Sequence, residues 1–155
     1  MSTAALLTYP DFYDVACSSA GNHDNNIYNK WWSETHNGVE AVYKKSKDDE
    51  GNEVQELTWD ARIKTNQSLA ENLKGHLLLT HGNIDNNVHP TNSLRVADEL
   101  IKAGKRFDMM IFPGKRHGYG SFRSYYEKMM WYYFAEHLLG DYRDNVDIGL
   151  SLIHI

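Results

Sequence analysis

An α/β domain built on parallel strands is what this sequence predicts, and three observations carry the prediction. Short apolar runs bounded by turn residues alternate with segments of helical spacing, in the order strand, helix, strand, helix. Two loops dense in polar and titratable side chains follow directly on two of the strands, where open parallel sheets collect their functional groups. The composition is that of a globular chain, with 41% hydrophobic and 24% charged residues in 155.

The elements follow in order. Ser2 to Thr8 is rich in small residues and reads as a short helix stopped by Pro10. Asp14 to Ser19 is a short apolar run that reads as a buried strand. Gly21 to Gly38 is polar and Asn-rich, carries Tyr28, Trp31 and Trp32, and shows no clear period. Lys44 to Glu56 is charged and contains Gly51, so it reads as a surface loop. Thr65 to Leu73 reads as a helix, and His76 to Thr80 as a compact buried strand. Thr91 to Ala103 reads as a helix with Leu94, Ala97, Leu100 and Ile101 on one face, ended by Gly104. Phe107 to Phe112 is another strand. Ser121 to Leu139 is a long helix with Phe122, Tyr125, Tyr126, Met129, Met130, Tyr133 and Phe134 at helical spacing, and Gly140 ends it.

Several function classes fall away on composition. Net charge is -5 and no basic stripe is present, which argues against a nucleic-acid partner. No apolar run approaches the roughly 20 residues of a membrane helix. The single Cys17 excludes an internal disulfide and a Cys-rich zinc site. The first residues lack the basic start of a signal peptide. Four Trp, ten Tyr and eight His are many for so polar a chain, and aromatics at this density suggest binding surfaces as well as core.

The chemistry lies in the two loops. HGNIDNNVHP, residues 81–90, follows one strand and offers Asp85; PGKRHGYG, residues 113–120, follows the next and offers His117. A carboxylate on one strand end can hold the tautomer of an imidazole on its neighbour and stabilise its protonated form, leaving the other ring nitrogen to act as a general base. Asp then His are the last two members of the Ser-Asp-His order found in α/β-hydrolase triads.

With LLLTHGNIDNNVH (77–89), Lys-Arg-His-Gly (115–118) and 32 positions between Asp85 and His117, the sequence resembles the C-terminal part of the peptidase domain of the prolyl oligopeptidase family, closest to its dipeptidyl peptidase IV branch. The resemblance implies the C-terminal portion of an α/β-hydrolase fold over residues 1–140, with an incomplete sheet. Residues 141–155 are then an irregular tail, and foreign sequence is one reading of its last residues. It implies Asp85 as the triad acid and His117 as the base. Asn87 matches a position that hydrogen-bonds the substrate backbone, and Val88 a wall of the pocket for the residue before the cut bond. Tyr28 and Trp32 match two aromatic pocket positions, Trp32 standing where Tyr is usual; Glu34 matches an acidic position with no assigned role. The family's Gly-x-Ser-x-Gly-Gly elbow does not occur in this chain. The helix that follows that elbow resembles MSTAALLTYPD, so the nucleophile is expected upstream of Met1 and the chain is expected to be a fragment, inactive and poorly folded alone. The parent implied is a serine exopeptidase releasing dipeptides after Pro or Ala, exported and able to form a homodimer, without a cofactor.

Blander readings stand beside these. Asp85 with its two Asn neighbours makes a good turn, and His117 before Gly118 a surface loop. His81 and His89 flank Asp85, and one carboxylate with two imidazoles can bind zinc; the resemblance makes His81 structural, and no metal is expected. Ser2, Ser18 and Ser19 lie in no glycine-flanked elbow and are rejected as nucleophiles, while Cys17 reads as a packing residue. The same triad would serve an esterase or acyl-peptide hydrolase, and the scaffold could be an inactive binding module presenting Trp31 and Trp32.

Overall fold

A computed structural model describes residues 1–143. The chain divides into two compact units, one comprising Met1–His23 and the chain from Asn66 on, the other Asp24–Thr65.

The first unit holds a three-stranded parallel sheet. Its strands are β1 (Val15–Ser19), β4 (His76–Gly82) and β5 (Asp108–Phe112), in the order β1-β4-β5. Val15 to Ser19 pair with His76 to Thr80, and Leu78 to Gly82 with Asp108 to Phe112. Being central, β4 is covered on both faces, and every residue from Leu77 to Gly82 is buried. Leu77 and Leu79 enter the core with Leu6 and Leu7 of helix α1 (Ser2–Thr8), Ala70 and Leu73, and Val96, Ala97 and Leu100 of helix α3 (Thr91–Lys102). Strand alternation turns Leu78 and Thr80 to the opposite face. Helix α4 (Arg123–Leu139) packs against β1, and the Tyr133 hydroxyl donates to Asp108 Oδ2 at 3.0 Å. Both long helices end as glycine-terminated helices do: the N–H groups of Gly104 and Gly140 turn back to Ile101 and Glu136.

Sequence and structure differ here in three places. Thr65 to Leu73 forms a tight 3-10 helix, Gln67–Asn72, in place of an α-helix. In α3 the covered face runs through Asn92, Ser93, Val96, Ala97 and Leu100, and Leu94 and Ile101 are exposed. Two polar residues in the first turn thus displace the apolar stripe by about one position, because Asn92 and Ser93 find hydrogen-bond partners inside. Of the aromatic positions on α4, Tyr133 alone is buried; Tyr125, and Phe122 just before the helix, remain exposed.

The second unit holds helix α2 (Lys30–Asn37) and a hairpin of β2 (Val39–Lys47) and β3 (Glu53–Ala61), antiparallel from Val39↔Ala61 to Lys47↔Glu53. The loop expected over Lys44 to Glu56 is therefore a hairpin and its turn. One face carries Ala41, Tyr43, Leu57 and Trp59, the other Glu40, Lys44, Glu56 and Asp60. Tyr43 and Trp59 stay exposed, so ladder bonds and cross-strand pairs such as Lys44–Asp60 at 3.2 Å hold the strands, with little core to mark them in the sequence. Asp48 closes the turn, its Oδ1 accepting from the N–H groups of Glu50 and Asn52. The stretch Gly21 to Gly38, without a clear period in sequence, contains α2. Asn29 caps it by accepting from Trp32 N–H, and Ser33 is its one buried residue, so no apolar period announces it.

Candidate active site

The acid loop leaves β4 at Gly82. The Asp85 N–H donates to Gly82 O, and Asp85 Oδ1 accepts from the N–H groups of Asn87 at 2.9 Å and Val88 at 3.2 Å. The turn reading of Asp-Asn-Asn is thus correct for one oxygen. The other, Oδ2, lies 2.9 Å from His117 Nδ1. The acid is buried, whereas the imidazole keeps nearly half its side chain in solvent.

Burial acts to raise the Asp85 carboxyl. The hydrogen bonds from His117 and from Asn87 N–H, the positive charge His117 can carry, and the bond from Val88 N–H outweigh it, and the net effect holds the group below the usual carboxylate range. An anionic acid held this way fixes the proton of the neutral His117 on Nδ1 and leaves Nε2 as the basic nitrogen.

A second imidazole supports the same carboxylate. His81 is fully buried; its Nε2 lies 2.8 Å from Val88 O and 3.3 Å from Asp85 Oδ2, and its Nδ1 lies 2.8 Å from Ser93 Oγ. These contacts fit a ring that donates from Nε2 and accepts at Nδ1 from the Ser93 hydroxyl. His89 is turned away and is bonded to Thr91. No cluster of three or more metal-ligating side chains is gathered among the described residues.

The base loop is stitched to the acid loop. Gly114 N–H donates to Asn83 Oδ1 at 2.7 Å, and Ile84 N–H to Lys115 O at 3.2 Å. The carbonyls of Lys115 and Arg116 pass so close to Gly82 that a side chain there would run into both.

The remaining expected site residues fall in both units. Asn87 is exposed and Val88 nearly covered, both on the acid loop. Tyr28 and Trp32 belong to the second unit, where their rings meet edge to face at 5.8 Å; Trp32 also lies 4.8 Å from the His36 ring. Glu34 is exposed on α2 beside a cavity of about 490 Å³ within that unit, lined also by Lys30, Leu57 and Trp59. The hydroxyls set aside as nucleophiles have other duties: Ser2 Oγ donates to Cys17 O, and Ser19 Oγ to the Tyr119 hydroxyl. Burial pushes the Cys17 thiol up to about 12, so it does not form the thiolate a nucleophile needs. Sequence reasoning missed Asn83, Gly82 and Tyr119 as site-shaping residues. The only available signal was the Gly118-Tyr119-Gly120 run, where a bulky residue sits between two glycines.

Parallel strands that present an acid on one crossover loop and an imidazole on the next define part of an α/β-hydrolase fold. The chain belongs to the prolyl oligopeptidase family, whose model matches residues 1–141. It is 47% identical to Dipeptidyl peptidase family member 1 of Caenorhabditis elegans over 45 residues, 29% of this chain and 6% of that protein. The structure of Porphyromonas gingivalis dipeptidyl peptidase 4 superposes with a TM-score of 0.66 at 21% identity, over 90% of this chain and 18% of the other. The Pyrococcus horikoshii acylaminoacyl peptidase gives 0.65 at 19% identity, over 97% and 24%. The chain thus spans less than a quarter of the length of each of these relatives.

Proposed function

We propose that this chain supplies the acid and base of a serine exopeptidase, Asp85 and His117, and that sequence outside these 155 residues supplies the nucleophilic serine. The observation that carries the reading is the 2.9 Å contact between the buried Asp85 Oδ2 and Nδ1 of the half-exposed His117. In the reaction the serine hydroxyl attacks the peptide carbonyl as its proton passes to His117 Nε2. The tetrahedral intermediate collapses as that proton goes to the departing amine, and water repeats the sequence on the acyl-enzyme. Asp85 orients the ring and stabilises the imidazolium formed between these transfers.

The substrate proposed is a peptide with a free N-terminus, cut after a second residue that is Pro or Ala. The match to a dipeptidyl peptidase supports this. Tyr28 and Trp32 are assigned to the side chain before the cut bond, with Val88 a further apolar wall residue and Asn87 a donor to the substrate backbone. The likeness to an acylaminoacyl peptidase favours a second reading, removal of a blocked N-terminal residue by the same three groups. The full-length gene product, assayed with Gly-Pro-p-nitroanilide and N-acetyl-Ala-p-nitroanilide, separates the two. Turnover of the first, abolished in His117→Ala, supports the dipeptidyl reading. Turnover of the second alone supports the other.

A further inference from the structure

Tyr119 is the largest fully buried side chain among the described residues, yet it lies in a loop two residues beyond His117. Its backbone is left-handed, with φ of 65°, between Gly118 at 82° and Gly120 at 51°. Left-handed backbone is ordinary for glycine and costs a bulky residue free energy, so something on the side chain must offset it.

What the side chain reaches explains the strain. Its ring stacks on Phe112, the last residue of β5, at 4.3 Å. Its hydroxyl lies 2.9 Å from Ser19 Oγ, at the end of β1, and 2.7 Å from Thr80 Oγ1 in β4. One phenol therefore touches all three strands of the sheet at their C-terminal ends. The hydroxyls form a chain with one consistent direction: Ser19 donates to Tyr119, Tyr119 to Thr80, and Thr80 to the carbonyl of Ser18 at 3.3 Å. Every oxygen in it is satisfied, and each bond polarises the next.

His117 thus sits on a span fastened at both ends. Upstream, Lys115 and Arg116 lie against Gly82; downstream, Tyr119 is locked into the sheet. We propose that Tyr119 is a positioning residue for the candidate reaction, whose hydroxyl contacts with Ser19 and Thr80 hold His117 at its 2.9 Å distance from Asp85. The proposal rests on the peptidase reading. The hydroxyl stays protonated at any working pH, because burial raises it above the usual phenol range and outweighs the hydrogen bond it accepts from Ser19.

The test uses the full-length gene product with Gly-Pro-p-nitroanilide. Tyr119→Phe keeps the ring and its stacking and removes only the latch. It should lower kcat by about tenfold while KM stays within about twofold, since misplacing a catalytic group slows chemistry without weakening substrate binding. Thr80→Val should reproduce the loss, and Thr80→Ser, which restores an oxygen at that place, should recover it. Tyr119→Phe with wild-type kcat, or with a lowered melting temperature as its only effect, overturns the proposal and leaves the peptidase reading standing. Turnover that survives His117→Ala overturns both.

Discussion

Oδ2 of Asp85 lies 3.3 Å from Nε2 of His81, a fully buried imidazole that also holds Val88 O and Ser93 Oγ. His81 therefore fastens the acid loop to α3 from below while His117 approaches the same oxygen from the solvent side. His81→Ala leaves the Ser93 hydroxyl and the Val88 carbonyl buried without this partner. It should cost about 2–4 kcal/mol of local stability, read as faster cleavage of the full-length gene product in pulse proteolysis. Unchanged susceptibility would show that the ring holds nothing.

Asp85→Asn keeps the size of the side chain and removes its charge. An amide can present its N–H to His117 Nδ1, which moves the ring proton to Nε2, where a base is needed. Turnover of Gly-Pro-p-nitroanilide by the full-length gene product should fall on the order of 10³–10⁴-fold. Retention of more than a tenth of the activity would remove Asp85 from the mechanism.

His23 sets the first step of the acid response. Burial, then the neighbouring His81 and the N-terminal charge, lower it from the usual imidazole range to about 4. A histidine depressed when folded binds its proton more readily when unfolded. It therefore withdraws stability as pH falls from about 6.5, and the withdrawal is complete near 4. Asp85, depressed as a carboxyl, adds stability above its unfolded value near 4 and loses it only at lower pH. An NMR titration should show the His23 ring neutral down to about pH 4. A His23 ring that titrates near 6.5 would contradict its burial and its contact with Asn66.

Trp32→Ala and Tyr28→Ala test the aromatic pair at the start of α2 as the pocket for the side chain before the cut bond. Losing one aromatic wall should raise KM for Gly-Pro-p-nitroanilide by about tenfold or more. KM values equal to the wild type in both variants would assign the pair to packing against His36 and each other.

Residues 1–155 alone should release no p-nitroaniline and should associate. Met110, Ile111, Phe112, Pro113, Phe122 and Tyr125 line an apolar cavity of about 260 Å³, and Leu94 and Ile101 are exposed on α3. Surface of this kind, at roughly 25 cal/mol per Å², favours contact with other chains. Dye binding with a broad, concentration-dependent melt is the expected result, and a cooperative monomeric melt the contrary one.

The three parallel strands were legible because each is a short apolar run cut off by turn residues, and Leu77 to Thr80 needs burial on both faces. Asp85 and His117 were legible because strand ends localise them and their spacing matches a family. The hairpin was not, because nine residues per strand carry their apolar side chains in solvent and charges interrupt the alternation. Helix α2 was hidden for a related reason: an Asn29 cap and Gly38 define it, with no buried stripe between them. Tyr119 was not legible at all, since nothing local shows that its hydroxyl reaches Ser19, 100 positions earlier in the chain.

The closeness of Lys115 and Arg116 to Gly82 also sets an order of events during folding. Asp85 can close its own turn from residues two and three positions away. His117 cannot take its place until β5 has aligned beside β4, because the two carbonyls just before it rest on backbone that only the paired strands bring together. Contacts between distant positions form late, after the loops that separate them have closed. Until β5 has paired with β4, the contact between Asp85 and His117 is therefore not available to the chain.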